Sequence, residues 1–186
     1  MLSQKKQTGS LAVLHVFRLP KGGLFRHVCD LVEAQSKAGM RVGVVCASDF
    51  IDQDTETLLS ELDALCPLGV HRISFRRGPA FSDVHVCRYL SKTFAESGLD
   101  ILHGHGAKGG MIARLMARRV CAKAIYTPHG GSLHFSPYTL LGGLYLSVEK
   151  LLMSRTHGAI FESEFAKRAY EERVGQIHIE TRTIYN

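Results

Sequence analysis

Seven short apolar runs separated by six longer amphipathic stretches constrain the fold of this chain more than any other feature. The runs are Leu11 to Phe17, Arg41 to Cys46, Val70 to Phe75, Ile101 to His103, Ala124 to Thr127, Gly158 to Phe161 and Arg182 to Tyr185. Each is short, and most are dominated by apolar residues, as strands buried on both faces are. Between them, the spacing predicts helices over Leu24 to Ala38, Thr55 to Leu65, Phe81 to Glu96, Gly109 to Arg119, Leu140 to Met153 and Glu164 to Val174. In the first of these, Leu24, Val28, Leu31 and Val32 recur at the helical period. The punctuation agrees. Gly39 and Gly98 stop helices, Pro128 stops a strand, and Ser163 stands where an N-cap belongs. Strand–helix alternation of this kind predicts an α/β fold: a doubly wound, mainly parallel sheet with helices on both faces. Ligands of such sheets collect at the carboxyl ends of the strands.

The 186 residues suit one such domain, expected over 10–186 behind a polar leader at 1–9. The leader carries Lys5 and Lys6 without the apolar centre of a secretory signal. The apolar stretch Leu140 to Leu152 is broken by Ser147, Glu149 and Lys150. It falls short of the ~20 residues of a membrane span and reads as a core helix. A net charge of +6 favours phosphorylated ligands and a peripheral contact with an anionic membrane face. No basic stripe interleaved with aromatics is present, so a nucleic-acid partner is not expected. Five cysteines without a Cys-x-x-Cys pair sit in apolar patterns, which points to free buried thiols and a cytoplasmic home.

Chemistry-bearing residues gather at the expected strand ends. The first strand runs into Arg18-Leu19-Pro20-Lys21-Gly22-Gly23 and then a helix. Paired glycines there suit either a backbone cradle for a diphosphate at a helix N-terminus or a tight turn of positive φ. The fourth strand ends in His103-Gly104-His105-Gly106, followed by Ala107-Lys108-Gly109-Gly110, and the fifth in Thr127-Pro128-His129-Gly130-Gly131-Ser132. His15 and His157, in or beside apolar strands, read as structural imidazoles. Dinucleotide and P-loop glycine spacings are both missing, and no Gly-x-Ser-x-Gly elbow supports an α/β-hydrolase. A metal site built on His103, His105 and His129, with His134 near, has enough imidazoles but no neighbouring carboxylate. A further reading is a sugar-phosphate cleft in which imidazoles hydrogen-bond hydroxyls and amides hold phosphate.

Several segments together resemble one family. They are LAVLHVFRLPKGGLFRHVCDLVEAQSKAGMRVGVVC, DILHGHGAKGGMIARLMARR, AIYTPHGGSLH, GAIFESEFAKRAYEERVG and the terminal TIYN. In this order they resemble the N-terminal domain of family-4 (group 1) retaining glycosyltransferases, a Rossmann-like half of the GT-B architecture. The resemblance implies hexose transfer from a nucleotide-diphosphate sugar to a saccharide or lipid-linked acceptor, in cell-surface polysaccharide or glycolipid synthesis. It further implies no cofactor, no metal, and a C-terminal donor-binding domain that this chain lacks and without which it is inactive. By the same resemblance, Gly22 and Gly23 lie against the donor diphosphate and the acceptor, and His129, the catalytic residue, faces the hydroxyls of the transferred sugar as a neutral imidazole. His105, Lys108 and Gly130 line the cleft, Glu164 faces it from a strand-to-helix turn, and Arg26 and His27 are candidates for acceptor contacts. The competing reading is a non-catalytic saccharide-binding or partner-docking module. A metal-dependent hydrolase ranks third.

Overall fold

The computed structural model describes residues 9–49, 52–76, 81–130 and 139–185. The leader before Gly9, together with Arg77, Gly78, Pro79, Gly131, Ser132, His134 and Asn186, lies outside the described residues. The chain alternates β1 (Ala12–Val16), α1 (Gly22–Lys37), β2 (Arg41–Ala47), α2 (Gln53–Leu65), β3 (Val70–Ile73), α3 (Phe81–Phe94) and β4 (Ile101–His105). It continues through α4 (Gly106–Met116), β5 (Lys123–Thr127), α5 (Leu140–Met153), β6 (Gly158–Phe161), α6 (Glu164–Val174) and β7 (Glu180–Thr183). The strands form one parallel sheet in the order β3-β2-β1-β4-β5-β6-β7. Strand order reverses between β1 and β4, and this is the crevice where such sheets bind ligands.

Alternation along the strands explains the two faces. Ala12, Leu14 and Val16 of β1 join Leu102, Ala124 and the inner sides of α3 and α4 (Val86, Leu90, Phe94, Ile112, Ala113, Met116). On the opposite face, Phe17, Val42, Val44 and Cys46 meet Phe25, Val28 and Val32 of α1 and Leu59 and Leu62 of α2. A third cluster joins Tyr126, Ala159 and Phe161 to Leu146 of α5 and Tyr170 and Val174 of α6. The caps read from the sequence are present. Ser163 accepts from the Ala166 amide at 3.1 Å, and Gly39, at φ 78°, closes α1 onto the Ser36 carbonyl.

Boundaries shift from the sequence reading by up to three residues, most tellingly at β4, α4 and β7. β4 continues through His105 and α4 starts at once with Gly106, because both histidines are buried although polar. β7 begins two residues earlier than expected. It is the polar, half-exposed segment Glu180–Thr183, whereas the apolar Ile184 and Tyr185 that suggested a strand lie beyond it, exposed.

The glycines of the fourth segment serve packing. A Cβ on Gly109 would stand 2.1 Å from the Val16 carbonyl oxygen, and one on Gly110 would stand 2.1 Å from the Tyr126 ring. A Cβ on Gly104 would meet the backbone of both at 2.6 Å. The start of α4 therefore presses directly on the ends of β1 and β4. Gly109→Ala is expected to lower stability by roughly 1–3 kcal/mol through overpacking, read as a lower urea midpoint at unchanged slope.

Beneath α4, α5 and α6 lies a buried polar knot. Arg114 pairs with Glu149 at 2.8 Å, donates from Nε to the Gly110 carbonyl at 2.9 Å, and stacks 4.0 Å over the Tyr126 ring. The hydroxyls of Tyr126 and Tyr170 both donate to Glu149 at 3.0 Å. Burial opposes the charge on Arg114 most strongly, yet the Glu149 carboxylate together with Tyr126 and Tyr170 outweighs it and holds the guanidinium protonated. Glu149, which the sequence showed only as a break in an apolar run, ties four elements together.

All five cysteines are free. Burial above all pushes the thiol of Cys29 up to about 11 and those of Cys46 and Cys66 to about 12, so they remain protonated. Cys121 departs from the buried expectation: it is exposed, in a turn at φ 56°. Among the described residues, no helix is long and apolar enough to cross a membrane.

Candidate functional site

Parallel pairing aligns His15 of β1 with His103 of β4, and His105 with Thr127 of β5. Because side chains alternate, His15, His103 and His105 share the sheet face that α1 covers, and the rings of His103 and His105 stack with centroids 4.0 Å apart. Two residues past β5, His129 takes up φ 49°. A left-handed backbone is unusual for a residue with a side chain and favours the turn chemistry found at functional sites. Gly130 follows at φ 67°. This pair of conformations turns the His129 ring back toward β4.

The result is a continuous hydrogen-bonded row. The Gln35 side-chain oxygen, from α1, lies 2.9 Å from His15 Nε2, and His15 Nδ1 lies 2.9 Å from His105 Nε2. His105 Nδ1 is 3.1 Å from His129 Nε2, and His129 Nδ1 contacts the carboxylate of Glu162, just after β6. His103 stands beside the row, with Nε2 2.9 Å from the Thr127 hydroxyl. The His27 and His129 rings meet in a T-shaped arrangement at a centroid distance of 5.1 Å. Burial foremost lowers His15 to about 4 and drives His103 and His105 well below the ordinary imidazole range, with the neighbouring imidazoles adding to it. These three rings are neutral at physiological pH.

The other expected residues are placed as follows. Gly22, at φ 71°, opens α1, and a Cβ on it or on Gly23 would meet no atom within 4 Å. The positive φ of Gly22 is what the turn reading requires, and the space beside the pair is open. The cap position before them, Lys21, makes no side-chain cap bond. Lys108 points away from the row and pairs with Asp83 of α3 at 2.6 Å, both largely buried. Glu164 accepts from the Thr183 hydroxyl on the exposed first turn of α6. Arg26 is exposed and paired with Asp30, whereas His27 reaches the histidine row. His157 is structural: its Nδ1 accepts from the Ala124 amide at 3.1 Å.

Three residues of the row were missed by sequence reading as site members. His15 was taken as structural, and Gln35 and Glu162 carried no local signal. Glu162 could have been suspected from its place at the carboxyl end of a strand. Among the described residues, His15, His103 and His105 form one set of mutually close ring nitrogens, and His27, His105 and His129 form another. The triple His103, His105 and His129 does not converge as one set.

A seven-stranded parallel sheet with its polar groups at the crevice between β1 and β4 defines a Rossmann-like domain of the GT-B kind. Solved structures agree on that fold. Anabaena HepE in complex with UDP and glucose matches at a TM-score of 0.68 and 20% identity, over 95% of this chain and 44% of its own. Sucrose-phosphate synthase from Thermosynechococcus elongatus matches at 0.61 and 15%, over 94% of this chain and 48% of its own. LpCGTa in complex with UDP matches at 0.61 and 12%, over 96% and 53%. The chain thus spans about half the length of these three proteins. Comparison with curated protein sequences gives no match. The model of Glycosyltransferase Family 4 covers residues 21–186, and the chain belongs to that family.

Proposed function

We propose that this domain is the N-terminal, acceptor-side wall of a retaining glycosyltransferase. It moves a hexose from a nucleotide-diphosphate sugar to a saccharide or lipid-linked acceptor in cell-surface polysaccharide or glycolipid synthesis. The observation that carries this reading is the convergence of the uncrowded Gly22–Gly23 helix start with His27, His129 and Glu162 at the carboxyl ends of β1, β5 and β6. A C-terminal domain supplies the opposite wall and most of the nucleotide contacts. HepE, a structural relative, is seen with UDP and glucose. The protein works in the cytoplasm, with the domain's positive charge favouring a peripheral contact at the inner membrane face.

In this reading the donor phosphate departs and the acceptor hydroxyl adds to the anomeric carbon from the same face. The protein contributes positioning and stabilisation of charge on the leaving group. Amides at the start of α1 face the diphosphate, where the helix N-terminus favours an anion. His129 and Glu162 face the hydroxyls of the sugar. Both ring nitrogens of His129 are already engaged, so a hydroxyl reaches the ring by displacing Glu162, the more exposed of its two partners.

The test is a panel of nucleotide sugars offered to the protein carrying both walls, with NMR of the product's anomeric configuration. Transfer with retention supports the reading. Saccharide binding without turnover of any donor would favour the docking-module alternative, and stoichiometric zinc or manganese would favour the hydrolase. His129→Ala in that protein is expected to lower kcat about a hundredfold with little change in donor Kd, measured by steady-state kinetics and calorimetry.

A further inference from the structure

The row from Gln35 to Glu162 has four hydrogen-bonded links, and each link holds one proton. Gln35 presents its carbonyl oxygen and Glu162 a carboxylate, so neither end donates. Three neutral imidazoles bring one N–H each, which is one proton short of the four links. We propose that the row carries one additional proton and that it makes His129 an imidazolium paired with Glu162. This proposal rests on the transferase reading only for its use in the reaction.

The direction of every bond follows from the inner end. The Gln35 oxygen accepts, so His15 carries its proton on Nε2 and accepts on Nδ1. His105 must then donate from Nε2 and accept on Nδ1. His129 therefore donates from Nε2 to His105, and its Nδ1 faces the carboxylate, to which it also donates. His15 and His105 are fully enclosed, and burial keeps each of them neutral. His129 is the ring that meets a carboxylate, so the positive charge resides there. Among the described residues, the titratable groups around it are His27 of α1, His103 and His105 of β4, His15 of β1, and Glu162 beyond β6. Glu162 is the only acid among them.

The consequence is a cation fixed on the cleft wall, held there by a half-buried amide three links away. Gln35 and His15 are positioning residues: they touch no substrate, yet they select which nitrogen of His129 donates. The result departs from the neutral His129 that the family resemblance implied. An imidazolium donates from both nitrogens, and beside a departing phosphate it supplies charge already in place.

The experiment is nitrogen-15 NMR of histidine-labelled full chain at pH 7, with His129 identified by the signal lost in His129→Asn. Two attached protons on the His129 ring, and one on each of His15 and His105, are expected. Gln35→Met removes the inner acceptor from a half-buried helix position. His15 then donates from Nδ1, the two imidazole–imidazole bonds reverse, and His129 keeps only the Nδ1 proton it donates to Glu162. Glu33→Gln, which removes a nearby negative charge on the same helix without touching the row, is expected to leave both protons in place. In the two-walled protein, Gln35→Met lowers kcat about tenfold with donor KM unchanged.

A singly protonated His129 in the unaltered chain would overturn the proposal. So would two protons surviving in Gln35→Met, or a stoichiometric metal ion bound between His105 and His129 in place of the proton. These NMR results are independent of turnover. Absence of transfer across the sugar panel would sink the transferase reading, while the proton assignment would stand or fall by the spectra alone.

Discussion

Acidification from pH 6.5 to pH 4 is expected to strip this domain of much of its stability. His15, His103 and His105 are buried and neutral, and burial places them all below the ordinary imidazole value of 6.5. The unfolded chain takes up protons on these rings as pH falls through about 6.5, while the native rings resist. A group whose folded pKa is lowered in this way, when its neutral form is the native one, contributes fully above its unfolded value. The contribution is lost as pH falls toward the folded value. For His15, which titrates at about 4 in the fold, the loss amounts to roughly 3 kcal/mol. His103 and His105 act in the same direction. Set against the ~5–15 kcal/mol that holds a typical domain together, the three are decisive. Urea midpoints at pH 7, 6 and 5 measure the effect above the range where carboxylates titrate. Midpoints that stay level between pH 6.5 and 5 would refute it.

Glu149→Gln is expected to destabilise the domain by about 3–5 kcal/mol, the range found when one partner of a buried ion pair is removed. The amide can still meet the Tyr126 and Tyr170 hydroxyls, but it leaves the Arg114 guanidinium charged and enclosed. For a chain of this size the melting temperature should fall by roughly 6–20 °C. Adding Arg114→Met removes the uncompensated charge, so the double variant should be more stable than Glu149→Gln alone. Calorimetry of the four proteins closes the cycle. If the double variant melted below the single one, the loss would lie in packing around the knot, and the charge argument would fail.

The two predictions concern features of different legibility. Glu149 showed in the sequence only as an interruption of Leu140 to Leu152, and that was enough to argue against a membrane span. Its pairing with Arg114, 35 residues away, was invisible because nothing local links α4 to α5. The histidines were more legible. His103 and His105 share a strand face by simple alternation, and His129 stood out beside glycine after a strand-stopping proline. What could not be read was that His15 pairs in register with His103, or that the left-handed turn at His129 brings its ring to His105. Lys108, expected beside His105 in a loop lining the cleft, lies in the first turn of α4 and is held by Asp83. Its direction depends on which helix lies beside α4. Gly104, Gly109 and Gly110 stood in the sequence only as neighbours of His105 and Lys108, and they lie where α4 and the sheet approach too closely for any side chain.

The sequence by itself determined the order and kind of the elements, the parallel doubly wound sheet and the family. Those properties rest on periodicity, on glycine and proline punctuation, and on motif order, all of which act within a few residues or along the chain. Tertiary structure alone decided which side chains meet. Strand order 3-2-1-4-5-6-7 and a parallel register set β1 beside β4 and carry Gln35, His15, His105, His129 and Glu162 into one row. A hydrogen bond is decided by a few tenths of an ångström between groups up to 90 residues apart, and no local pattern encodes that distance.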